Sequence, residues 1–316
     1  MNKTMKKCIL FLPFLCTALP SLFARDYKSG IFITDLYNFD HVQKSFSADF
    51  WTWAVYDGEE TNFEGTINPV GDLGFTSEIY TVDRIRDENG GEHYWMQQKI
   101  LSEFHCDWDL KKFPFDVNVL AVAIEDYRSR DEIRFIPDTA DSGISDTIFI
   151  DGCEISDFKI SEIPIRYNSD FGSPAPSASV YSQLCAEITV RRTNPWITFF
   201  KLTACVYISL LISVLSFFMK PNTDSRISLP SAALFAVVSN KYVVEATVPS
   251  TSALTLLDSI HTLSMVAILA IFLVIIKTDG MRATEEKTLL EKSIKIDRLA
   301  AILISVLYVT FNIVMM

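Results

Sequence analysis

The chain has 316 residues, 49% of them hydrophobic, and yet it carries a formal net charge of −11. This combination is unusual for one soluble domain and indicates a polar part joined to a membrane part. Residues 25–190 contain 31 acidic and 13 basic side chains, so no basic surface for nucleic acid is expected. The acidic surface could concentrate cations near the domain, or it could serve only solubility.

The first residues have the features of a secretory signal peptide. Lys3, Lys6 and Lys7 precede the apolar run CILFLPFLC, and the small residue Ala24 precedes RDYK. The apolar run is too short to span a bilayer. We therefore expect residues 1–24 to direct the following domain to export.

Residues 25–192 alternate short apolar runs with turn residues. Runs such as ADFWTWAVY and EITVRR are rich in β-branched and aromatic residues, and segments such as DENGGE separate them. This pattern predicts an all-β sandwich. Cys153 and Cys185 would pair only if the fold brings them together. No Cys or His spacing indicates a metal site.

Four apolar segments follow and predict membrane-spanning helices. With the β-domain exported, the links after the first and third spans are cytoplasmic, and both carry Lys and Arg, as the positive-inside rule requires. The expected membrane domain is 193–316, with helices at about 195–219, 227–248, 254–277 and 297–316 and a short cytoplasmic link at 278–296.

The second span is unusual because polar residues interrupt it. Ser228, Ala232, Phe235, Ser239 and Tyr242 are spaced four, three, four and three residues apart, so they share one helical face. In several copies around an axis, this face could line a wet pore that the aromatic rings constrict. Alternatively, its small residues could pack against a neighbouring helix.

Acidic residues lie at both ends of this span. Asp224 precedes it and Glu245 lies near its outer end, and acidic rings at pore mouths favour cations. If Ser228 caps the helix, Pro230 falls in the first turn, where proline is tolerated.

Residues 105–120 read HCDWDLKKFPFDVNVL. Pro114 fixes one backbone dihedral, Phe113 and Phe115 could enter an apolar surface, and Asp116 could meet a cation. We call residues 113–116 the hook. It is either a loop that presses on another part of the molecule or an ordinary apolar turn inside the sandwich.

An exported sandwich, four spans with a polar second one, and the segment WDLKKFPFD together resemble the pentameric ligand-gated ion channels, the Cys-loop receptor superfamily, and above all its prokaryotic members. The resemblance covers nearly the whole chain after the signal peptide. Cys106 stands where the disulfide loop of the animal receptors opens, but Leu120 stands where that loop closes. The loop is therefore not crosslinked, as in bacterial relatives.

The resemblance implies an immunoglobulin-like β-sandwich followed by a four-helix bundle, in five copies around a central pore. It implies a bacterial inner membrane, with the sandwich on the periplasmic or extracellular side. The hook would press on the membrane helices. Asp116 would lie near Arg192, and Pro114 and Phe115 would touch the link between the second and third spans around Pro249.

The resemblance also implies agonist sites between neighbouring sandwiches. The matching positions are Glu125 and Tyr127 in AIEDYRS, and Tyr167 and Tyr181 on either side of NSDFGSPAPSAS, with Phe32 contributed by the adjacent subunit. Tyrosine faces and a carboxylate suit an ammonium group, so an amine is the leading candidate agonist. The tyrosines could also be ordinary core or cross-strand residues.

We therefore expect a homopentameric, ligand-gated channel that conducts monovalent cations and contacts membrane lipids. No enzymatic activity, no cofactor and no nucleic-acid partner is expected. One alternative is a proton- or divalent-gated channel without an organic agonist, in which protons or Ca²⁺ modulate the same pore. The other is a non-conducting membrane sensor.

Overall fold

The computed structural model describes residues 24–57, 67–86, 90–169, 171, 180–220, 224–248, 254–283 and 286–315. The expected signal peptide, apart from Ala24, and the junction residue Pro249 lie outside these ranges.

Strands make up the first part of the described chain. In order they are β1 Arg25–Asp40, β2 Ser45–Tyr56, β3 Ile67–Pro69, β4 Asp72–Arg86, β5 Glu92–His105, β6 Val117–Asp126, β7 Ile133–Pro137, β8 Gly143–Ile144, β9 Cys153–Arg166 and β10 Val180–Arg192. Along β2 and β5, buried side chains alternate with more exposed ones, because successive residues of a strand point to opposite faces.

The strands form two sheets that share one core. The first sheet has the order β4-β5-β2-β1-β7, with β8 paired to β1, and the second has the order β3-β6-β10-β9. Ile31 and Phe50 of the first sheet are buried in the same cluster as Leu120 and Leu184 of the second. The region is therefore sandwich-like, as its alternating pattern predicts.

Cys153 and Cys185, whose pairing the sequence left open, are both free thiols. Cys153 stands opposite Arg192 in the β9–β10 pair. Cys185 is seven residues from Arg192, roughly 23 Å along the strand. The Cα atoms of a disulfide are usually less than about 7 Å apart, so this register keeps the two thiols separate.

Four helices follow, each long and apolar enough to cross a membrane, and they indicate a multi-pass membrane protein. They are α1 Pro195–Leu215, α2 Asp224–Thr247, α3 Leu256–Arg282 and α4 Lys287–Met315, with a 3₁₀ turn at Ser216–Phe218 after α1. The helix α4 begins ten residues before the expected 297, so the link before it is much shorter than 278–296. Hydropathy finds only the apolar part of a helix, and the charged first turns of α4 extend beyond it.

A buried network of four charges joins α2, α3 and α4 at the end of the bundle away from the sheets. The guanidinium of Arg226 lies 3.0 Å from the carboxylate of Asp297 and 3.3 Å from that of Asp279. Arg282 lies 2.5 Å from Asp297 and 3.4 Å from Asp279. The network holds the first turn of α2 to the last turn of α3 and to Asp297 in the N-terminal half of α4.

This network explains why α2 begins earlier than its apolar stretch. The helix starts at Asp224, where an acidic side chain suits the positive end of the helix dipole. Arg226, two residues later, is fully buried. Ser228 therefore does not cap the helix, and the span expected at about 227–248 begins three residues earlier. Pro230 lies inside the helix, beyond its first turn.

Candidate functional site

Three aromatic rings and one carboxylate gather at the end of the second sheet that is farther from the helices. The ring centroids of Tyr167 and Tyr181 are 5.5 Å apart, and Phe171 lies 5.5 Å from the first and 6.1 Å from the second. The Tyr167 hydroxyl donates to Glu125, at 3.1 and 3.2 Å from its two carboxylate oxygens. We call these four residues the aromatic cluster.

The electrostatic character of the aromatic cluster comes from Glu125. Burial raises the pKa of its carboxyl above the ordinary value, and the neighbouring Asp126 raises it further, whereas the hydrogen bond from Tyr167 lowers it. A half-buried carboxylate beside aromatic faces can attract an organic cation through both charge and cation–π contact.

The aromatic cluster contains three of the five positions that the resemblance implied. Tyr127 lies just after β6 with 67% of its surface exposed, and the Arg128 guanidinium lies 5.6 Å from its ring centroid. Phe32 lies on β1 of the other sheet and is half-buried. The roles expected for these two residues stay predictions.

Phe171 is a member that sequence reasoning missed. It is the one aromatic residue of the Gly-, Pro- and Ser-rich sequence NSDFGSPAPSAS at 168–179, and its φ of 49° is unusual for a residue other than glycine. A single large apolar side chain in such a polar loop was the available signal, because loops carry binding residues disproportionately.

One pair of strands runs from the aromatic cluster to the helices. The antiparallel strands β6 and β10 stay in register from the pair Glu125–Gln183 to the pair Val117–Arg191. At about 3.3 Å per residue this distance is roughly 26 Å. The first end carries the aromatic cluster, and the second leads into the hook and into α1.

The hook packs into the apolar core of the helix bundle. Phe113 is only 4% exposed and shares a cluster with Leu110 and with residues of the helices, including Phe199. The ring centroid of Phe115 lies 4.8 Å from that of Trp196 and 5.7 Å from that of Phe199. Of the two readings of this loop, the geometry matches contact with the helices.

The loop that carries the hook also reaches the start of α3. The backbone N–H of Leu256 donates to the carbonyl of Lys111 at 2.8 Å. Pro114 is buried in the hook. Its expected contact with Pro249 falls outside the described residues and stays a prediction.

Asp116 lies beside Arg192, as the resemblance implied. The Arg192 Nε donates to a carboxylate oxygen of Asp116 at 3.3 Å, and Asn118 donates to the other oxygen at 2.8 Å. The guanidinium also lies 4.3 Å from the ring centroid of Phe113. The last residue of β10 is therefore tied to the hook by charge and by a cation–π contact.

The helix α2 has two unlike faces. Ala233, Val237 and Val244 are buried among the other helices, whereas all five residues of the predicted pore-facing stripe are exposed in the single chain. In particular, Phe235 is 73% and Tyr242 is 69% exposed. The stripe is thus available for contact with water, lipid or another subunit.

Other polar groups of α2 are satisfied within the subunit. The Asn240 side chain donates to the carbonyl of Leu202 at 2.9 Å and lies 3.0 Å from Nε2 of His261. Lys241 lies 3.0 Å from the carboxylate of Asp258 at the start of α3. These contacts give Asn240 and Lys241 polar partners within the helix bundle of the same subunit. They do not involve the serines of the exposed stripe.

The two residues expected to select charge differ in their surroundings. Asp224 is exposed in the first turn of α2. Glu245 lies 2.9 Å from the ammonium group of Lys241, so its charge is partly balanced within the subunit. Both selectivity roles stay predictions.

No model of a known protein family matches the chain, and no curated protein matches it. The residues and geometry of the chain itself therefore carry any conclusion about its function.

Proposed function

We propose that the protein is a ligand-gated, cation-selective ion channel in which identical subunits, five by the resemblance, surround a pore lined by α2. The observation that carries this proposal is the exposed stripe from Ser228 to Tyr242 on α2. The helix α2 is the least apolar of the four candidate spans. Polar groups at membrane depth normally face a bundle interior or water. A shared aqueous path would hydrate both serine hydroxyls.

The agonist is an amine that binds at the aromatic cluster. The rings of Tyr167, Phe171 and Tyr181 would face its ammonium group, and Glu125 would supply the opposite charge. In a homo-oligomer, Phe32 of the neighbouring sandwich would complete the site. The acidic balance of the sandwich would raise the local concentration of cations.

Opening would follow from a difference in affinity. An agonist favours opening only if it binds the aromatic cluster more tightly in the open arrangement than in the closed one. The strands β6 and β10 join this cluster to the hook and to α1, so a shift of these strands would displace the hook against the helices. Rotation or tilt of α2 would then widen the pore at the constrictions that Phe235 and Tyr242 form.

Current recording with accessible cysteines tests this proposal. Ser239→Cys protein is reconstituted in planar bilayers and exposed to amines, to pH steps and to Ca²⁺, and a charged methanethiosulfonate is then added to the bath. We expect amine-evoked current with a cation reversal potential, followed by irreversible block. Leu307→Cys, exposed on α4, is the matched control and should not be blocked.

Other outcomes separate the alternatives. Current that follows pH or Ca²⁺ but no amine would favour the channel without an organic agonist. Absence of current under every condition, with folded protein in the bilayer, would favour the non-conducting sensor. Block of Leu307→Cys but not of Ser239→Cys would remove α2 from the pore.

A further inference from the structure

A cavity of about 120 Å³ lies at the end of the sandwich that is nearer to the helices. It is bordered by the turn after β1, the loop that carries the hook, and the paired ends of β9 and β10, and it is partly open to solvent. Asn118 on β6 lines it. Glu125 of the aromatic cluster is seven residues farther along the same strand, roughly 23 Å away, so the cavity is a separate site.

Two residues of its lining have a buried polar atom without a hydrogen-bond partner among the described residues. These atoms are Nε1 of Trp108 and Nδ1 of His41, and the two rings pack edge to face with centroids 4.5 Å apart. An unpaired buried polar group is costly, and an indole N–H can only donate. The cavity therefore calls for a hydrogen-bond acceptor.

The charged groups of the lining also leave donors in excess. The oxygens of Asp116 accept from Arg192 and Asn118, and Arg191 is bound to Glu154 at 2.7 Å. The Arg192 guanidinium has five N–H donors and gives one of them to Asp116. An oxygen acceptor with negative charge would suit this set of donors better than a cation would.

The neutral state of His41 is compatible with a hydrogen-bond acceptor bound in the cavity. Burial lowers the pKa of its imidazole and the nearby Arg192 lowers it further, whereas Asp116 and Asp40 raise it. The neutral ring carries one N–H, which can sit on Nδ1 and donate. Asp151, the remaining carboxylate of the lining, is exposed to water.

The rest of the cavity is apolar and small. Phe39, Ile150 and Val190 form this side. Since a water molecule takes about 30 Å³ in the liquid, the volume suits an occupant of about four to six non-hydrogen atoms. We propose that the cavity binds a short-chain monocarboxylate, with its carboxylate at Trp108, His41 and Arg192 and its chain on the apolar side.

Such a ligand would sit between the hook and the strands that lead to it, because Asp116 and Arg192 belong to both the cavity and the junction. The bound ligand would stabilise one relative arrangement of the hook and these strands. Binding itself needs no channel activity, so its test does not depend on the proposed function.

Cys153 provides the probe. It lines the cavity, and burial raises the pKa of its thiol despite the opposing effect of Arg192. Methyl methanethiosulfonate transfers a methylthio group to the thiolate and releases methanesulfinate. The rate for full-length protein in nanodiscs is measured at pH 8.5 by peptide mass spectrometry, with sodium butyrate or sodium chloride at equal ionic strength. We expect butyrate to slow modification of Cys153 at least threefold and saturably, with Cys205 of α1 unaffected.

Trp108→Phe keeps an aromatic ring in place and removes the donor, so it should abolish the protection. Trp51→Phe, on β2 and outside the lining of the cavity, is the matched control and should keep the protection. Lack of protection in the unaltered chain, or full protection in Trp108→Phe, would overturn the proposal. Equal protection by butyramide would overturn the assignment of an anionic ligand.

If Cys153 does not react, saturation-transfer difference NMR with butyrate reads the same occupancy. A signal that Trp108→Phe reduces at least threefold would support the proposal. No signal, or one that this substitution leaves unchanged, would overturn it.

Discussion

The backbone N–H of Leu256 donates a 2.8 Å hydrogen bond to the carbonyl of Lys111. The first N–H groups of a helix have no acceptor within it, so a carbonyl of the sandwich loop serves the first turn of α3. Because Phe113 of the same loop is buried among the helices, the loop belongs to the packing of both halves of the molecule.

Phe113→Ala should destabilise the protein by about 3–5 kcal/mol, because it removes a buried aromatic side chain from the junction. Thermal unfolding in detergent measures the effect. Phe149→Ala is the matched control, since Phe149 is 81% exposed, and it should change stability by less than about 0.5 kcal/mol. Equal shifts for the two variants would contradict the buried role of the hook.

Glu125→Gln should weaken activation by a quaternary ammonium agonist about tenfold or more, which corresponds to about 1.4 kcal/mol of lost binding free energy. The substitution keeps the shape of the side chain and removes its charge. Dose–response curves of evoked current measure the shift. Glu78→Gln, at an exposed glutamate bound to Lys99, should leave the curve in place, and a similar shift there would indicate a general charge effect.

The response to tetramethylammonium, which does not titrate, should fall as the pH is lowered through the pKa of Glu125. This pKa is raised by burial, so the carboxylate is present above the raised value and lost below it, at a higher pH than for an ordinary glutamate. Tyr167→Phe removes the hydrogen bond that lowers this pKa and should move the midpoint to still higher pH. A midpoint that moves down would place the titration on another group.

Phe235→Ala should raise the open probability, because it removes bulk from the proposed constriction. Single-channel recording at a fixed agonist concentration measures this. Leu211→Ala, on the exposed surface of α1, is the control and should leave gating unchanged. Unaltered gating in Phe235→Ala would remove this ring from the gate.

Asp297→Asn should destabilise the protein by about 3–5 kcal/mol, because Arg226 and Arg282 would keep their charges in a buried place without their shared carboxylate. Thermal unfolding measures the loss. Glu291→Gln, exposed on the same helix, should be nearly neutral. A stable Asp297→Asn protein would mean that Asp279 alone can balance both guanidinium groups.

The coarse plan of the molecule was predictable because it depends on local patterns. Alternation along 45–56 predicts a strand, and the apolar run that contains Ile268 predicts a span. The pairing of Asp116 with Arg192 was also foreseen, but only through the resemblance, since 76 residues separate the two in the chain.

The rest depends on contacts between distant segments, which no local pattern reports. In the sequence, Arg226 and Arg282 count among the basic residues of the two cytoplasmic links, and the structure shows both buried against Asp297. The unpaired indole N–H of Trp108 likewise becomes evident only in the folded chain, where the ends of β9 and β10 line the same cavity.

The buried charge network gives α2 a fixed pivot. If the helix tilts about Arg226, displacement grows in proportion to distance from that residue. At 1.5 Å per residue, Phe235 is about 13 Å from the pivot and Tyr242 about 24 Å. A tilt of roughly 5° would then move Tyr242 by about 2 Å and Phe235 by about 1 Å. Such a lever would make Tyr242 the more responsive of the two proposed constrictions, and a small push would have its largest effect at the end of α2 nearer the sandwich.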